Sequence, residues 1–467
     1  MSSLHRKMST FCKISTISVV FALTCLALSS PSAAFAQSEP ARANSSGARA
    51  STSVTTPSRQ AYSLSPDKLA KAIAFSRTRQ ILGLIGSLWG LAFLWLLLTS
   101  RAAATLATRI EALVKPCWLQ GLLFFAALLV LMTLADLPVG WYGHRVSLAY
   151  GISVQSWGSW VSDLAKGLGL TLLFGAPLML LFHWIVRRSP RRYWFWIWAV
   201  TLPLMVLSAL GSPLLEPIFD RFDPLQKDHP ALVAKLETVV HRTGTKIPPE
   251  RMFLMQASLK SNGLNAYVSG IGATKRIVVW DTTAGRIPDD EVLFIFGHES
   301  GHYVLNHIPK ELAWSAVGLF FLYWGCAGCA VWLVNRYGHR WGIAGDSAAA
   351  QGSGQASLYP RAGFVVLLFV VSVAGFVLEP VSNTFSRHFE HEADVYGQEA
   401  IHGLVADPQR TAVDAFNHLG EAWLEDPNPN LFLEFWTYSH PSTQHRAEFA
   451  AHYDPWKAGG EGKFFSK

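Results

Sequence analysis

Six apolar stretches, each near the length a helix needs to cross a bilayer, leave few folds open to this chain. They run at about Ile81–Ser100, Trp118–Leu137, Leu168–Val186, Trp194–Leu210, Trp314–Val334 and Gly363–Leu378. Hydrocarbon offers backbone groups no water to bond, so such stretches must form helices that satisfy themselves and pack on one another. Composition agrees: 50% of the 467 residues are hydrophobic and only 15% are charged, unlike an ordinary soluble protein. The 18 tryptophans and 28 phenylalanines suit membrane interfaces and lipid-facing helices. A net charge of +7 comes from cations scattered beside the apolar stretches. Cations placed this way flank a membrane and form no stripe for nucleic acid.

The N-terminus reads as a secretory leader over residues 1–36. His5, Arg6, Lys7 and Lys13 make a basic start, Ile14 to Ser29 an apolar core, and Ala34-Phe35-Ala36 a cleavage site. An uncleaved first transmembrane helix is the alternative. Residues 37–60, rich in Ser, Ala, Thr and Arg, are expected to be disordered. Ser65-Pro66-Asp67 then combines an N-cap, a proline at the first helical position and an early acid. The helix it starts continues through Leu69, Ile73 and Phe75 towards the first span.

The predicted organisation is a leader or first span (1–36), a linker and amphipathic helix (37–80), four spans (81–211), a polar region holding a histidine motif (212–312), two spans (313–380) and a polar end (381–467). Lys275 to Asp281 looks like a short strand after the turn-rich Gly270-Ile271-Gly272. Residues 335–357 read as a Gly/Ala/Ser-rich loop. Two of the five cysteines lie in the leader, which leaves no even-numbered disulfide framework. Cys326 and Cys329 sit in an apolar span, where small residues pack one helix on another. With a cleaved leader, six spans return both polar regions to the outer face. Arg187, Arg188, Arg191, Arg192, Arg101, Arg109, Lys115, Arg336 and Arg340 fall in loops on the opposite side, consistent with positive-inside. Lys68, Lys71, Arg77 and Arg79 lean the other way.

The polar region holds His298-Glu299-Ser300-Gly301-His302. Two histidines four apart lie one above the other on a helix, so both imidazoles can reach one metal ion. Glu299 is placed to take a proton from the attacking water. By itself the pattern supplies only two ligands, and a surface helix with two exposed histidines would look the same. A zinc site of this kind needs a third ligand and an open position. The last apolar stretch runs into Ser386-Arg387-His388-Phe389-Glu390-His391-Glu392-Ala393-Asp394. On a helix Glu390 and Asp394 share a face, while Glu392 points about 200° away. Glu390 can therefore ligate and Asp394 can support a ligand histidine. His388 and His391 are rival ligands by chemistry alone.

His298-Glu299-Ser300-Gly301-His302 continues as Tyr303-Val304-Leu305-Asn306-His307; Ser386-Arg387-x-x-Glu390-x-x-Ala393-Asp394 and Asn265-Ala266-Tyr267-Val268-Ser269-Gly270 accompany it. This set resembles the type-I CAAX prenyl endopeptidases, integral-membrane zinc peptidases. Glu216 to Leu225, Ile277 to Thr282, and Ser439-His440-Pro441 with Arg446 fit the same family, so the likeness runs from about residue 62 to 447. It implies one zinc ion per chain on His298, His302 and Glu390, Glu299 as general base, and Asp394 behind the ligands. His440 and Arg446 would face the reacting carbonyl or the substrate backbone. Asn265, Ala266 and Tyr267 would belong to an edge strand that pairs with extended substrate.

The expected fold is mainly α: a polytopic helical membrane protein whose zincin-type catalytic domain contains a small β-sheet. The expected activity is zinc-dependent endopeptidase action on peptide or protein substrates, lipidated or membrane-associated ones included, with membrane lipid as surroundings and no nucleic acid. The location implied is a bacterial inner membrane with the site facing the periplasm. Two readings stand beside it: a membrane-protein quality-control metalloprotease, and a metal-binding transporter or scaffold without catalysis. An intramembrane site-2-type protease would carry its histidines inside an apolar span, whereas Asp289, Asp290 and Glu291 stand just upstream here.

Overall fold

The structure, a computed structural model, describes residues 61–343, 361–457 and 459–465. The expected leader (1–36), linker residues 37–60 and residues 344–357 of the expected loop lie outside these. Among the described residues, six helices are long and apolar enough to cross a membrane. They are α1 (Pro66–Thr99), α3 (Cys117–Ala149), α4 (Trp157–Arg188), α5 (Tyr193–Leu215), α8 (His307–Trp341) and α9 (Arg361–Ile401), with α2 (Ala102–Leu113) between the first two.

Every one of these spans outruns the apolar stretch that announced it, and Pro138, Pro213 and Pro380, which stand just past three of those stretches, each remove one backbone donor without ending the helix. The α1 helix starts at Pro66 and carries straight into the membrane. The α8 helix continues through residues 335–341, read from sequence as loop, and stops where Gly342 takes φ +70°. Helix α2 was also read as loop. Its buried Ala103, Ala104, Ala107 and Ile110 recur at helical spacing and pack into the bundle core.

The polar region between α5 and α8 folds into α6 (Pro230–Thr243), α7 (Asp289–Val304) and a four-stranded sheet of β1 (Phe222–Pro224), β2 (Met252–Met255), β3 (Ala266–Ser269) and β4 (Arg276–Trp280). The spatial order is β1-β2-β4-β3. The β2–β4 pair is parallel and the outer two pairs are antiparallel, so β3 is a terminal strand. Alternate residues serve different cores, as the period of a strand dictates. Leu254, Ala266, Val268, Ile277 and Val279 face a core shared with α6, α7 and α10 (Pro408–Ala422). Met255, Tyr267, Val278 and Trp280 face Phe75 of α1 and Val146 of α3. Helices α11 (Leu431–Thr437) and α12 (Thr443–His452) close the chain, with α12 packed on α10.

Candidate active site

Helix α7 is not one of the membrane spans. Its three acids, Asp289, Asp290 and Glu291, occupy the first turn, where they complement the positive end of the helix dipole. From Glu291 to Gly301 every residue is buried, so α7 runs through the interior of the polar domain. It crosses α9 at close range. A Cβ on Gly397 would stand 2.7 Å from the His298 backbone nitrogen, and one on Gly297 would stand 3.1 Å from the Gly397 carbonyl oxygen. Only glycines at this crossing let α9 lie near enough to bring its carboxylates to the histidines.

What meets there is compact. His298 Nε2 lies 3.2 Å from His302 Nε2, 3.4 Å from Glu390 Oε2, and His302 Nε2 lies 3.6 Å from Glu390 Oε1. Bonds of about 2.0–2.1 Å to a tetrahedral zinc ion set neighbouring ligand atoms about 3.3–3.4 Å apart. The two nitrogens and the Glu390 carboxylate are therefore spaced as three ligands around such an ion would be. Among the described residues, this is the His/Cys/Asp/Glu group close enough to hold a metal ion. Of the rival histidines, His391 packs its ring against Phe449 and His388 its ring against Phe389.

The surroundings favour a cation. Burial opposes the charged form of His298, yet Asp394 and Glu390 outweigh it and raise the imidazole to about 9. Burial pushes the Glu299 carboxyl up to about 8, with His298 opposing. Glu299 also accepts a hydrogen bond from the backbone of Val268 in β3.

Each histidine is braced on its far nitrogen. His298 Nδ1 lies 2.8 Å from Asp394 Oδ1. Arg446 Nε donates to Asp394 Oδ2 (2.8 Å) and Nη2 to Oδ1 (2.5 Å). The likeness had Arg446 facing substrate. In the structure its guanidinium pairs with Asp394 and lies 4.0 Å from Glu390 Oε2, since a buried arginine needs carboxylates beside it. His302 Nδ1 lies 3.1 Å from His307 Nδ1, and His307 Nε2 lies 3.3 Å from Glu392 Oε2. Neither His307 nor Glu392 was singled out for a role by sequence; the helical spacing alone shows Glu392 turned away from Glu390, and not what it meets.

His440, just before α12, brings Nε2 to 3.2 Å from Glu390 Oε1 while Nδ1 faces Ser439 Oγ at 2.8 Å. Arg387 of α9 donates to the Tyr438 carbonyl at 2.8 Å and holds this segment against the helix. Asn265 precedes β3 and is fully buried, and its side-chain amide has no protein partner among the described residues. Trp280 donates to the Asn265 carbonyl. By antiparallel alternation Tyr267 then also pairs with β4, while Ala266 and Val268 turn their backbone groups away from it, and Val268 there meets Glu299 and the Tyr303 hydroxyl of α7. The Tyr267 side chain points to the other face of the sheet, where its hydroxyl donates to Glu216 at 2.9 Å. Tyr303 of α7 donates to the Gly270 carbonyl at 3.0 Å and ties the catalytic helix to the end of that edge.

Residues 226–454 match peptidase family M48, and residues 48–221 match the family described as CAAX prenyl protease N-terminal, five membrane helices. An uncharacterized metalloprotease of Bacillus subtilis, YhfN, is 31% identical over 83% of this chain and 86% of its own. CAAX prenyl protease 1 of Saccharomyces cerevisiae is 26% identical over 70% and 71%. The crystal structure of S. mikatae Ste24p superposes with a TM-score of 0.67 at 22% identity, covering 82% of this chain and 89% of that one, which shows a shared fold.

Proposed function

The chain belongs to the M48 peptidases of the type-I CAAX prenyl endopeptidase family, and from that premise we propose that His298, His302 and Glu390 hold one zinc ion at which Glu299 acts as general base. It is a multi-pass membrane metalloendopeptidase acting on peptide or protein substrates. The observation that carries the zinc reading is that His298 and His302, which flank Glu299 on α7, and the Glu390 carboxylate of α9 stand 3.2–3.6 Å apart, close to the spacing of ligands around a tetrahedral ion. Bound there, zinc would supply Lewis acidity towards a carbonyl and lower the pKa of water towards neutrality.

The chain's own residues do the rest. Glu299 takes a proton from the attacking water at its carboxylate and passes it to the leaving amine. Asp394 accepts from His298 Nδ1 and keeps Nε2 turned to the cluster; Arg446 keeps Asp394 ionised and fixed. His440, held at the rim by Ser439, is the donor for the oxyanion of the tetrahedral species. Extended substrate adds to the free side of β3 at Ala266, next to Glu299, with the Asn265 amide as a further polar contact. The site sits where α9 leaves the membrane, which suits lipidated or membrane-associated peptides, as the relatives' names suggest.

Glu299→Gln is expected to keep zinc and to lose about 10²–10⁴-fold in peptide hydrolysis. Undiminished cleavage by that variant, purified with its metal, overturns the mechanism. Polypeptides that accumulate on the same variant identify the substrate class. For orientation, Arg101, Arg109, Arg187, Arg188, Arg336, Arg340 and Arg361 gather at the bundle end away from the site, and Arg101 Nε donates to the Arg340 carbonyl. That end is therefore assigned to the cytoplasm and the site to the outer face. A reporter fused after Lys467 should signal outside; a cytoplasmic signal reverses the assignment.

A further inference from the structure

We propose that His307, backed by Glu392, is the positioning residue that orients His302 for metal binding. The inference rests on the zinc reading above and extends it to a residue pair outside the ligand set.

One tautomer assignment satisfies every distance. His302 turns Nε2 towards His298 and Glu390, so as a ligand through Nε2 it must carry its proton on Nδ1. That N–H points at His307 Nδ1, 3.1 Å away, which must then accept. His307 consequently holds its own proton on Nε2, which lies 3.3 Å from Glu392 Oε2, an electrostatic contact that closes no hydrogen bond. Glu392 is in turn met by Lys463 Nζ at 3.3 Å. Behind His298 a carboxylate and a cation, Asp394 and Arg446, follow directly; behind His302 the His307 imidazole is interposed before Glu392 and Lys463. A histidine ligand whose second nitrogen is left unfixed can rotate or change tautomer, which is why such partners are usually built in.

The local fold puts His307 there by an unusual backbone step. Asn306 adopts φ +58° between α7 and α8, a conformation asparagine tolerates better than most residues. The chain thus reverses within two residues and returns His307 beneath His302. His307 is 1% exposed and its ring lies 4.7 Å from that of Phe389, one residue before Glu390. Packing on Phe389 is thus the competing purpose for this side chain, and two substitutions separate the purposes. His307→Phe keeps an aromatic ring on Phe389 and loses the acceptor. His307→Asn keeps an acceptor close to the Nδ1 position and loses the ring.

The experiment is zinc retention by the purified full chain against a graded chelator series, for wild type, His302→Ala, His307→Phe, His307→Asn and Glu392→Gln. The visible spectrum of the cobalt-substituted protein is recorded beside it. His307→Phe should bind zinc about 10–100-fold more weakly and shift the cobalt bands, Glu392→Gln should lie between it and wild type, and His307→Asn should stay near wild type. The reverse order, with Phe near wild type and Asn impaired, assigns His307 to packing and overturns the inference. Equal affinity and unchanged spectra in all three variants overturn it too. A wild-type chain that holds zinc no better than His302→Ala overturns the proposed zinc site, and this inference with it.

Discussion

At the scale of single residues, the site is a set of buried charges that are stable only in company. Arg446 is 7% exposed and Asp394 3%, and each satisfies the other through two hydrogen bonds. Arg446→Ala leaves a carboxylate buried without its cation, which costs about 3–5 kcal/mol. The thermal unfolding midpoint should fall accordingly, and Arg446→Lys should recover only part of it, since an ammonium cannot make the paired contact. An unchanged midpoint for the alanine variant would show that Asp394 finds another donor. The sequence made His298, His302, Glu299 and Glu390 legible because their spacing is a helical one and their chemistry is narrow. His307 escaped, although it lies five residues beyond His302, because what brings it back is the left-handed backbone at Asn306.

At the scale of elements, the crossing of α7 over α9 decides whether a site exists. Gly397→Ala places a methyl group 2.7 Å from a backbone nitrogen, where no side chain can yield. Overpacking of this kind costs about 1–3 kcal/mol. Moving α9 away also widens the His298–Glu390 spacing, so the variant should bind zinc more weakly than wild type when titrated against a chelator. Full zinc affinity in that variant would mean the crossing has slack. Apolar length and periodicity revealed the six spans, yet their ends lay beyond the apolar residues. A helix ends where its hydrogen bonds are capped; α8 runs on to its cap at Gly342, and α9 continues past Pro380. Helix α2 was hidden by its alanines, whose burial depends on neighbours that only the bundle supplies.

At the scale of the whole molecule, the membrane bundle and the polar domain are joined through the site itself. Helix α9 packs its first half into the bundle core, with Val365, Val366 and Leu368 buried, and carries Glu390 and Asp394 on its second half. Helix α7, wholly in the polar domain, supplies the histidines. A metal ion held as proposed between them would tie the two parts together. Zinc at 100 times its dissociation constant stabilises the folded chain by about 2.7 kcal/mol, so chelation should lower the unfolding midpoint and zinc should restore it. In Glu390→Ala the midpoint should not respond to zinc; an equal response there would place the stabilising ion elsewhere.

The sequence alone determined that the chain spans a membrane repeatedly, that a helical histidine pair with an adjacent glutamate lies in a polar region between spans, and that a carboxylate able to serve as third ligand follows the last one. Those features are local: apolar length, helical period and residue chemistry are properties of neighbours along the chain. The tertiary structure decided what stands behind each proposed ligand. It gave Arg446 to Asp394, His307 to His302, and the Tyr267 hydroxyl to Glu216 beneath the sheet. Such partnerships join residues far apart in sequence or across a left-handed turn. They follow from how closely two helices can approach, which rests on glycines whose purpose appears only when the opposing backbone is in place.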